Sequence, residues 1–259
     1  MNPIEVLLED RAVSLVCAIA RISGLVLVAP LPWTVAPLRV RAALVIVLGL
    51  VVTASPIAVD PTLAERPLAV MLSVVSEFAI GACMGMSVRL VIAVAEVAGE
   101  FIAPQLGLGV SQLFDPHTRV SETAVAAAFR HLTMLLAVLA GLHRQVLAAL
   151  LGSFELLPPG TLVNPGRAAG AILALTAGSV EAGVRIALPV VAVLFMVQIA
   201  LAFIARAAPA LQIFSVGFAV TLGVGFLVIV LSLPDTARML LVEISHVDTR
   251  IQALLGALL

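Results

Sequence analysis

Long apolar runs, separated by short breaks that are mostly rich in proline, dominate this sequence. The runs cover residues 12–30, 42–59, 68–100, 121–151, 168–205 and 211–233. A helix needs about 20 apolar residues to cross the hydrocarbon core of a bilayer, and these runs are of that order or longer. The pattern predicts about six hydrophobic helical segments.

Two of the runs are longer than a simple span. A helix rises about 1.5 Å per residue, so a helix over residues 68–100 exceeds the thickness of the bilayer core. Residues 168–205 contain Pro189, which we expect to kink the helix or to split it into two. The tail over residues 234–259 is amphipathic and is predicted to be helical.

Composition places this pattern in a membrane. Hydrophobic residues make up 62% of the 259 residues, charged residues make up 11%, and the mean hydropathy is +1.22. A water-soluble protein needs a more polar surface than this composition allows. We therefore predict an all-α polytopic membrane protein, with residues 1–259 forming a single membrane domain.

The charge balance and the motifs exclude several classes of function. The net charge is −1 and lysine is absent, so neither a nucleic-acid partner nor a lysine-based mechanism is indicated. No hydrolase, protease or nucleotide-binding motif occurs, and the cysteines and histidines lack metal-ligand spacing. We expect no catalysis, no cofactor and no metal, and the acidic first residues indicate no cleavable signal peptide. Cys17 and Cys83 are expected to be small buried side chains.

Charges within the apolar runs are the first candidate functional residues. A charge at bilayer depth costs at least about 2.5–3.5 kcal/mol, so it needs a partner, a cavity or another subunit. Arg89, Glu96 and Glu100 share one face of a helix, and Glu181 and Arg185 have the i,i+4 spacing of an ion pair. The set comprises Arg21, Glu77, Arg89, Glu96, Glu100, Glu181 and Arg185. Ion pairing, an ion pathway and packing against other subunits around a wet pore all remain open.

The central stretch 105–120, QLGLGVSQLFDPHTRV, is the second candidate. It is too short and too interrupted by glycine to span a bilayer, yet too apolar for an ordinary solvated loop. An Asp-Pro turn closes it. These properties single the stretch out, but they do not place it in a pore.

Five segments of the chain resemble the family of bacterial flagellar biosynthetic protein FliR. They are ARISGLVLVAP at 20–30, VAPLRVRAALVIVLGL at 35–50, the stretch from SEFAIG to FDP at 76–116, GSFELLPPG at 152–160, and the stretch 184–234. Their order and spacing agree over nearly the whole chain. A related subunit of virulence injectisomes is an alternative, as is a secondary transporter that uses Glu96, Glu100 and Arg89.

The resemblance implies a subunit of the type III export gate in the bacterial inner membrane and flagellar basal body. Such a subunit joins FliP and FliQ in an assembly of helical hairpins, with a FliP-like N-terminal part and a FliQ-like C-terminal part. FlhB, FlhA, membrane lipid and unfolded flagellar proteins are the other implied partners.

The resemblance also implies that 105–120 is a plug that projects into the channel. Small, flexible, apolar residues can seal a pore by excluding water and still yield to a passing chain. The predicted plug and gate residues are Gln105, Leu106, Gly107, Leu108, Gly109, Val110, Leu113, Phe114, Asp115 and Pro116.

Overall fold

The computed structural model describes residues 3–54, 66–108, 122–207 and 213–258. Nearly all of these residues are helical. The helices are α1 (Pro3–Val28), a short 3-10 turn (Pro32–Val35), α2 (Leu38–Ala54), α3 (Pro67–Gln105), α4 (Ala124–Leu139), α5 (Leu142–Leu156), α6 (Pro165–Ala207), α7 (Ile213–Ser245) and α8 (Val247–Leu258). The predicted all-α polytopic membrane fold is confirmed.

Three helical runs in the described part of the chain are long and apolar enough to cross a membrane: α3, α6 and the run Val216–Leu258 formed by α7 and α8. The broken pair α4 and α5 makes a fourth if it is counted as one span. The apolar part of α1, Ala12–Val28, is shorter. The predicted segments are therefore present as helices, although their lengths differ more than the sequence pattern indicates.

Two predicted runs break differently from expectation. The run 121–151 is two helices, because Gly141 takes a φ of 72° between α4 and α5, a left-handed conformation that glycine adopts readily. The predicted split at Pro189 is wrong, since α6 is continuous through that residue. Proline is tolerated within membrane helices because neighbouring groups and local adjustments satisfy the carbonyl that it leaves free.

Two compact units make up the fold, and each combines distant stretches of the chain. The first unit comprises Met1–Leu90, Gly141–Thr176 and Ser245–Leu259, and the second comprises Val91–Ala140 and Ala177–Ile244. Two of the changes from one unit to the other fall inside long helices, at Leu90–Val91 in α3 and at Thr176–Ala177 in α6, where composition marks no boundary. The single membrane domain over 1–259 stays a prediction.

In the first unit, α1 packs against α2, and α5 packs against α8. The buried residues of α8 are Val247, Ile251, Leu254, Leu255 and Leu258, spaced as one face of a helix. α1 also lies against α3 at backbone distance. A Cβ on Gly81 would overlap the Arg21 carbonyl, and a Cβ on Gly24 would overlap the Phe78 carbonyl. Glycine at these positions therefore lets the backbones of α1 and α3 approach closely.

In the second unit, a hydrophobic core forms among the C-terminal half of α3, α4, α6 and α7. Its largest members include Ile102, Leu106, Phe129, Leu194 and Leu240, all buried. Glycines again allow close approach, since a Cβ on Gly99 would overlap the backbone of Ala126 in α4. This core fixes both the end of α3 and the start of α4, which are the two flanks of the predicted plug.

Candidate functional site

The predicted plug lies only partly within the described residues. Gln105, Leu106, Gly107 and Leu108 are described, at the end of α3 and just after it. The other predicted plug and gate residues lie outside the described residues: Gly109, Val110, Leu113, Phe114, Asp115 and Pro116. The described part of the site comprises the two flanks of the loop, where the chain leaves α3 and where it enters α4.

Gly107 ends α3 with a defined hydrogen-bond pattern. Its φ is 76°, its N–H donates to the Pro104 carbonyl at 3.0 Å, and the Leu108 N–H donates to the Ala103 carbonyl at 3.1 Å. This is the Schellman arrangement, in which a left-handed residue lets the last carbonyls of a helix be satisfied. Gly107 is therefore the terminator of α3.

Side chains of α6 and α7 hold the residues around this terminator. Gln198 Nε2 donates to the Gln105 carbonyl at 3.2 Å and to Gln105 Oε1 at 3.0 Å. Leu106 is fully buried in the core of the second unit, beside Leu194 and Gly225. The first residues of the predicted plug are thus anchored in the body of the protein.

A mostly apolar cavity of about 830 Å³ adjoins this anchor. Gln105, Gly107, Gln198, Phe218 and Thr221 are among its lining residues. A Cβ on Gly107 would approach the Phe218 ring to 3.1 Å, so a larger residue is disfavoured there by space as well as by backbone conformation. The end of α3 therefore has room on one side and close packing on the other.

The loop returns to α3 through Thr123. The Thr123 hydroxyl caps α4 by accepting from the Ala126 N–H at 3.3 Å. Glu100 Oε1 accepts from the Thr123 N–H at 2.9 Å and from its hydroxyl at 3.2 Å. A carboxylate of α3 therefore holds the entrance of α4, little more than one helical turn before the loop begins.

A cluster of three charged side chains also links the start of α4 to α3. Arg130 Nη2 lies 2.9 Å from Glu122 Oε2, and Arg130 Nε lies 3.6 Å from Glu96 Oε1. Each of these side chains is about one third exposed, at 35%, 29% and 38% respectively. The three charges predicted to share one helix face have different surroundings. Glu96 and Glu100 contact residues at the start of α4 or within it, whereas Arg89 is exposed.

The remaining candidate charges behave in two opposite ways. Arg21 and Glu77 form a fully buried ion pair at 2.6 Å within the first unit, each with 0% of its side chain exposed. Arg185 Nη2 contacts Glu181 Oε1 at 2.6 Å along α6, as the i,i+4 spacing predicts, but both side chains are about two thirds exposed. The pairing of Arg21 with Glu77 could not be deduced from spacing, since 56 residues separate them.

Sequence reasoning missed Thr123, Glu122, Arg130 and Gln198 as members of the site. A signal existed for Thr123, because a Ser-Glu-Thr stretch before an apolar run is typical of a helix N-terminus. Cys17 and Cys83 are buried, as predicted. Among the described residues, no group of histidine, cysteine and acidic side chains could hold a metal ion.

These features define an integral membrane protein of packed helices, with one fully buried ion pair and with both flanks of the central stretch held by hydrogen bonds. The family model of bacterial export proteins, family 1, matches residues 12–247. The chain therefore belongs to this export family, which is the family of flagellar biosynthetic protein FliR.

Several curated relatives carry that name. The Pectobacterium carotovorum protein is 33% identical over 162 residues, which cover 62% of this chain and 61% of the relative. The Escherichia coli K12 protein is 33% identical over 154 residues, 58% of each chain. The Bacillus subtilis protein is 28% identical over 164 residues, 62% of this chain and 63% of the relative. The matched part thus spans about three fifths of each relative.

Proposed function

We propose that this chain is a structural and gating subunit of the flagellar type III protein export apparatus. Membership of the export family carries the assignment to export. The loop that is anchored at both ends carries the gating role. Residues 105–120 act as the plug of the channel, and the anchors at Gln105 and Thr123 hold it in place.

The proposed plug has two parts. Leu106 is fully buried in the core of its own unit, so it serves as an anchor of the loop. The sealing surface is then formed by the later predicted residues, from Gly109 to Pro116. This division sharpens the prediction from sequence, because removal of Leu106 would damage the core as well as the seal.

The long helices offer the surface that an assembly needs. In the most apolar part of α3, 61% of the residues are buried, whereas the figure is 22% for α6 and 17% for the run Val216–Leu258. Exposed apolar side chains on these helices include Phe195, Phe203 and Phe226. Such a surface requires lipid or other helical subunits. We assign it to lipid and to FliP and FliQ, with FlhB and FlhA acting on the assembled gate and unfolded flagellar proteins passing through it.

A secondary transporter is supported less well by the same residues. It would require Glu96, Glu100 and Arg89 to line a path for a substrate or a proton. Glu100 instead accepts two hydrogen bonds from Thr123, and Glu96 lies near Arg130. Their contacts therefore favour a role in holding the loop.

Co-purification tests the proposed function. The tagged chain is expressed with the other export-gate proteins, extracted in a mild detergent and weighed as an intact complex. We expect one copy of this chain with several copies of the other helical subunits. A stable homodimer that mediates uptake of a small solute would contradict the proposal and would favour the transporter.

A further inference from the structure

Arg21 makes more contacts than an ion pair requires. Besides Glu77, its guanidinium donates from Nη1 to the Ser153 carbonyl at 2.8 Å and hydroxyl at 3.0 Å, and from Nη2 to the Leu157 carbonyl at 2.8 Å. These carbonyls lie at the C-terminal end of α5, where the Ser153 carbonyl also accepts from the Leu157 N–H at 2.9 Å and Leu157 follows the last helical residue. The Phe154 ring packs on the guanidinium, with its centroid 4.1 Å away.

Glu77 reaches the same segment from α3. Its Oε2 accepts from Arg21, and its Oε1 accepts from the Gly160 N–H at 3.0 Å. The neighbouring Ser76 hydroxyl donates to the Thr161 carbonyl at 2.8 Å and accepts from the Val163 N–H at 2.9 Å. Side chains of α1 and α3 thus bond to buried and part-buried backbone groups of segment 153–163.

The segment leads directly into α6. Asn164 Oδ1 accepts from the Gly166 N–H at 2.9 Å, which places the first turn of α6 immediately after the bonded residues. Whatever fixes 153–163 therefore also fixes where this 43-residue helix begins.

We propose that Arg21 and Glu77 are positioning residues that dock segment 153–163, and with it the start of α6, onto α1 and α3. The two charges are not interchangeable. Arg21 faces carbonyls and must donate, whereas Glu77 faces an amide and must accept. An ion pair of reversed polarity would keep its mutual attraction and would lose the bonds that Arg21 and Glu77 make to backbone groups of the segment. The inference requires no assumption about export.

The accessibility of Leu157 tests this inference in the full-length chain. Leu157 is fully buried. A Leu157→Cys reporter, with Cys17→Ala and Cys83→Ala, is placed in membrane vesicles and labelled with a maleimide. We expect slow labelling in this parent. Labelling should accelerate by about tenfold or more when Arg21→Glu is combined with Glu77→Arg, because opening of the segment exposes the thiol.

Matched variants separate docking from charge balance. Exchange of the exposed pair, by Glu181→Arg with Arg185→Glu, should leave labelling at the parental rate. Arg21→Lys keeps the positive charge but loses the several N–H donors of the guanidinium. Ser76→Ala removes only the hydrogen bonds of Ser76 to Thr161 and Val163. Each variant should therefore be labelled at a rate between those of the parent and the exchanged buried pair. These two milder changes also decide the question if the exchanged buried pair does not accumulate.

Parental labelling in the exchanged buried pair would overturn the proposal, because it would show that charge pairing alone suffices. Parental labelling in both Arg21→Lys and Ser76→Ala would do the same. Acceleration in the milder variants, with no change for the exposed pair, supports it.

Discussion

Segment 153–163 of the first unit and the loop 105–123 of the second are both held by acidic residues of α3, but in different surroundings. Arg21 and Glu77 are fully buried, and each bonds to segment 153–163 as well as to the other. The Arg130 cluster at the loop return is about one third exposed. Removal of one member of a buried pair leaves a charge without compensation, whereas water can replace a partner at a half-exposed site.

The difference suits two tasks. Release of segment 153–163 would break several bonds of the buried pair together. The buried pair therefore keeps this segment docked. A half-exposed cluster can open at small cost, because water solvates the separated charges. The gating role that we propose for residues 105–120 would require the second kind of anchor where the chain enters α4. The hydrogen bonds of Gln105 and the buried Leu106 provide a firmer attachment at the other end.

The largest expected effect is the loss of the buried carboxylate. Glu77→Ala should destabilise the protein by about 3–5 kcal/mol, since Arg21 remains charged and loses its partner. Glu122→Ala, at the half-exposed site, should cost less than about 1 kcal/mol. Thermal unfolding of the two purified variants in detergent measures both values. Equal losses would remove the distinction between the two anchors.

A smaller effect is expected where α1 and α3 touch. Gly81→Ala places a methyl group on the Arg21 carbonyl, so the helices must separate, at a cost of about 1–3 kcal/mol. The control is Gly170→Ala in α6, where an added Cβ meets no atom within 4 Å. That change should be neutral or stabilising by up to about 1 kcal/mol. Similar melting temperatures for the two variants would contradict the close packing.

The helix terminator at Gly107 should show a comparable or smaller effect. Gly107→Ala forces a side chain into a left-handed conformation, at a cost of about 1–2 kcal/mol, and presses it against Phe218. Gly223→Ala in α7 is the matched control, because an added Cβ there has open space. We expect Gly107→Ala to lower the melting temperature and Gly223→Ala to leave it unchanged or slightly raised. An unchanged value for Gly107→Ala would contradict the terminator role.

The exposed pair should show the smallest effect in the isolated chain. Reversal of Glu181 or Arg185 alone should change stability by less than about 0.5 kcal/mol, because exposed i,i+4 pairs contribute little. In the assembled complex, each single reversal should impair assembly and the double exchange should restore part of it. Size-exclusion chromatography of co-expressed subunits measures the recovery. Failure of the double exchange to restore assembly would indicate separate partners for the two charges.

Patterns of neighbouring residues in the sequence correctly predicted single helices and contacts within one helix. The apolar run 68–100 correctly predicted α3, and the Glu181–Arg185 spacing predicted a contact within one helix. Of the two effects expected of Pro189, a kink or a split, the split is wrong, because the chemistry that breaks a helix in water is compensated within a membrane protein. The partner of Arg21 could not be predicted, since two distant helices must first pack before Glu77 comes within reach. The anchors of the loop were missed for the same reason.

The gating role is tested most directly by ion conductance of the assembled, closed gate. Deletion of 109–114 removes predicted sealing residues and retains the anchor at Leu106. Complexes of matched subunit composition, with and without the deletion, are placed in planar bilayers without substrate. We predict a closed parent and a steady ion leak through the deleted form. Equal, low conductance in both would contradict the assignment of this loop as the plug.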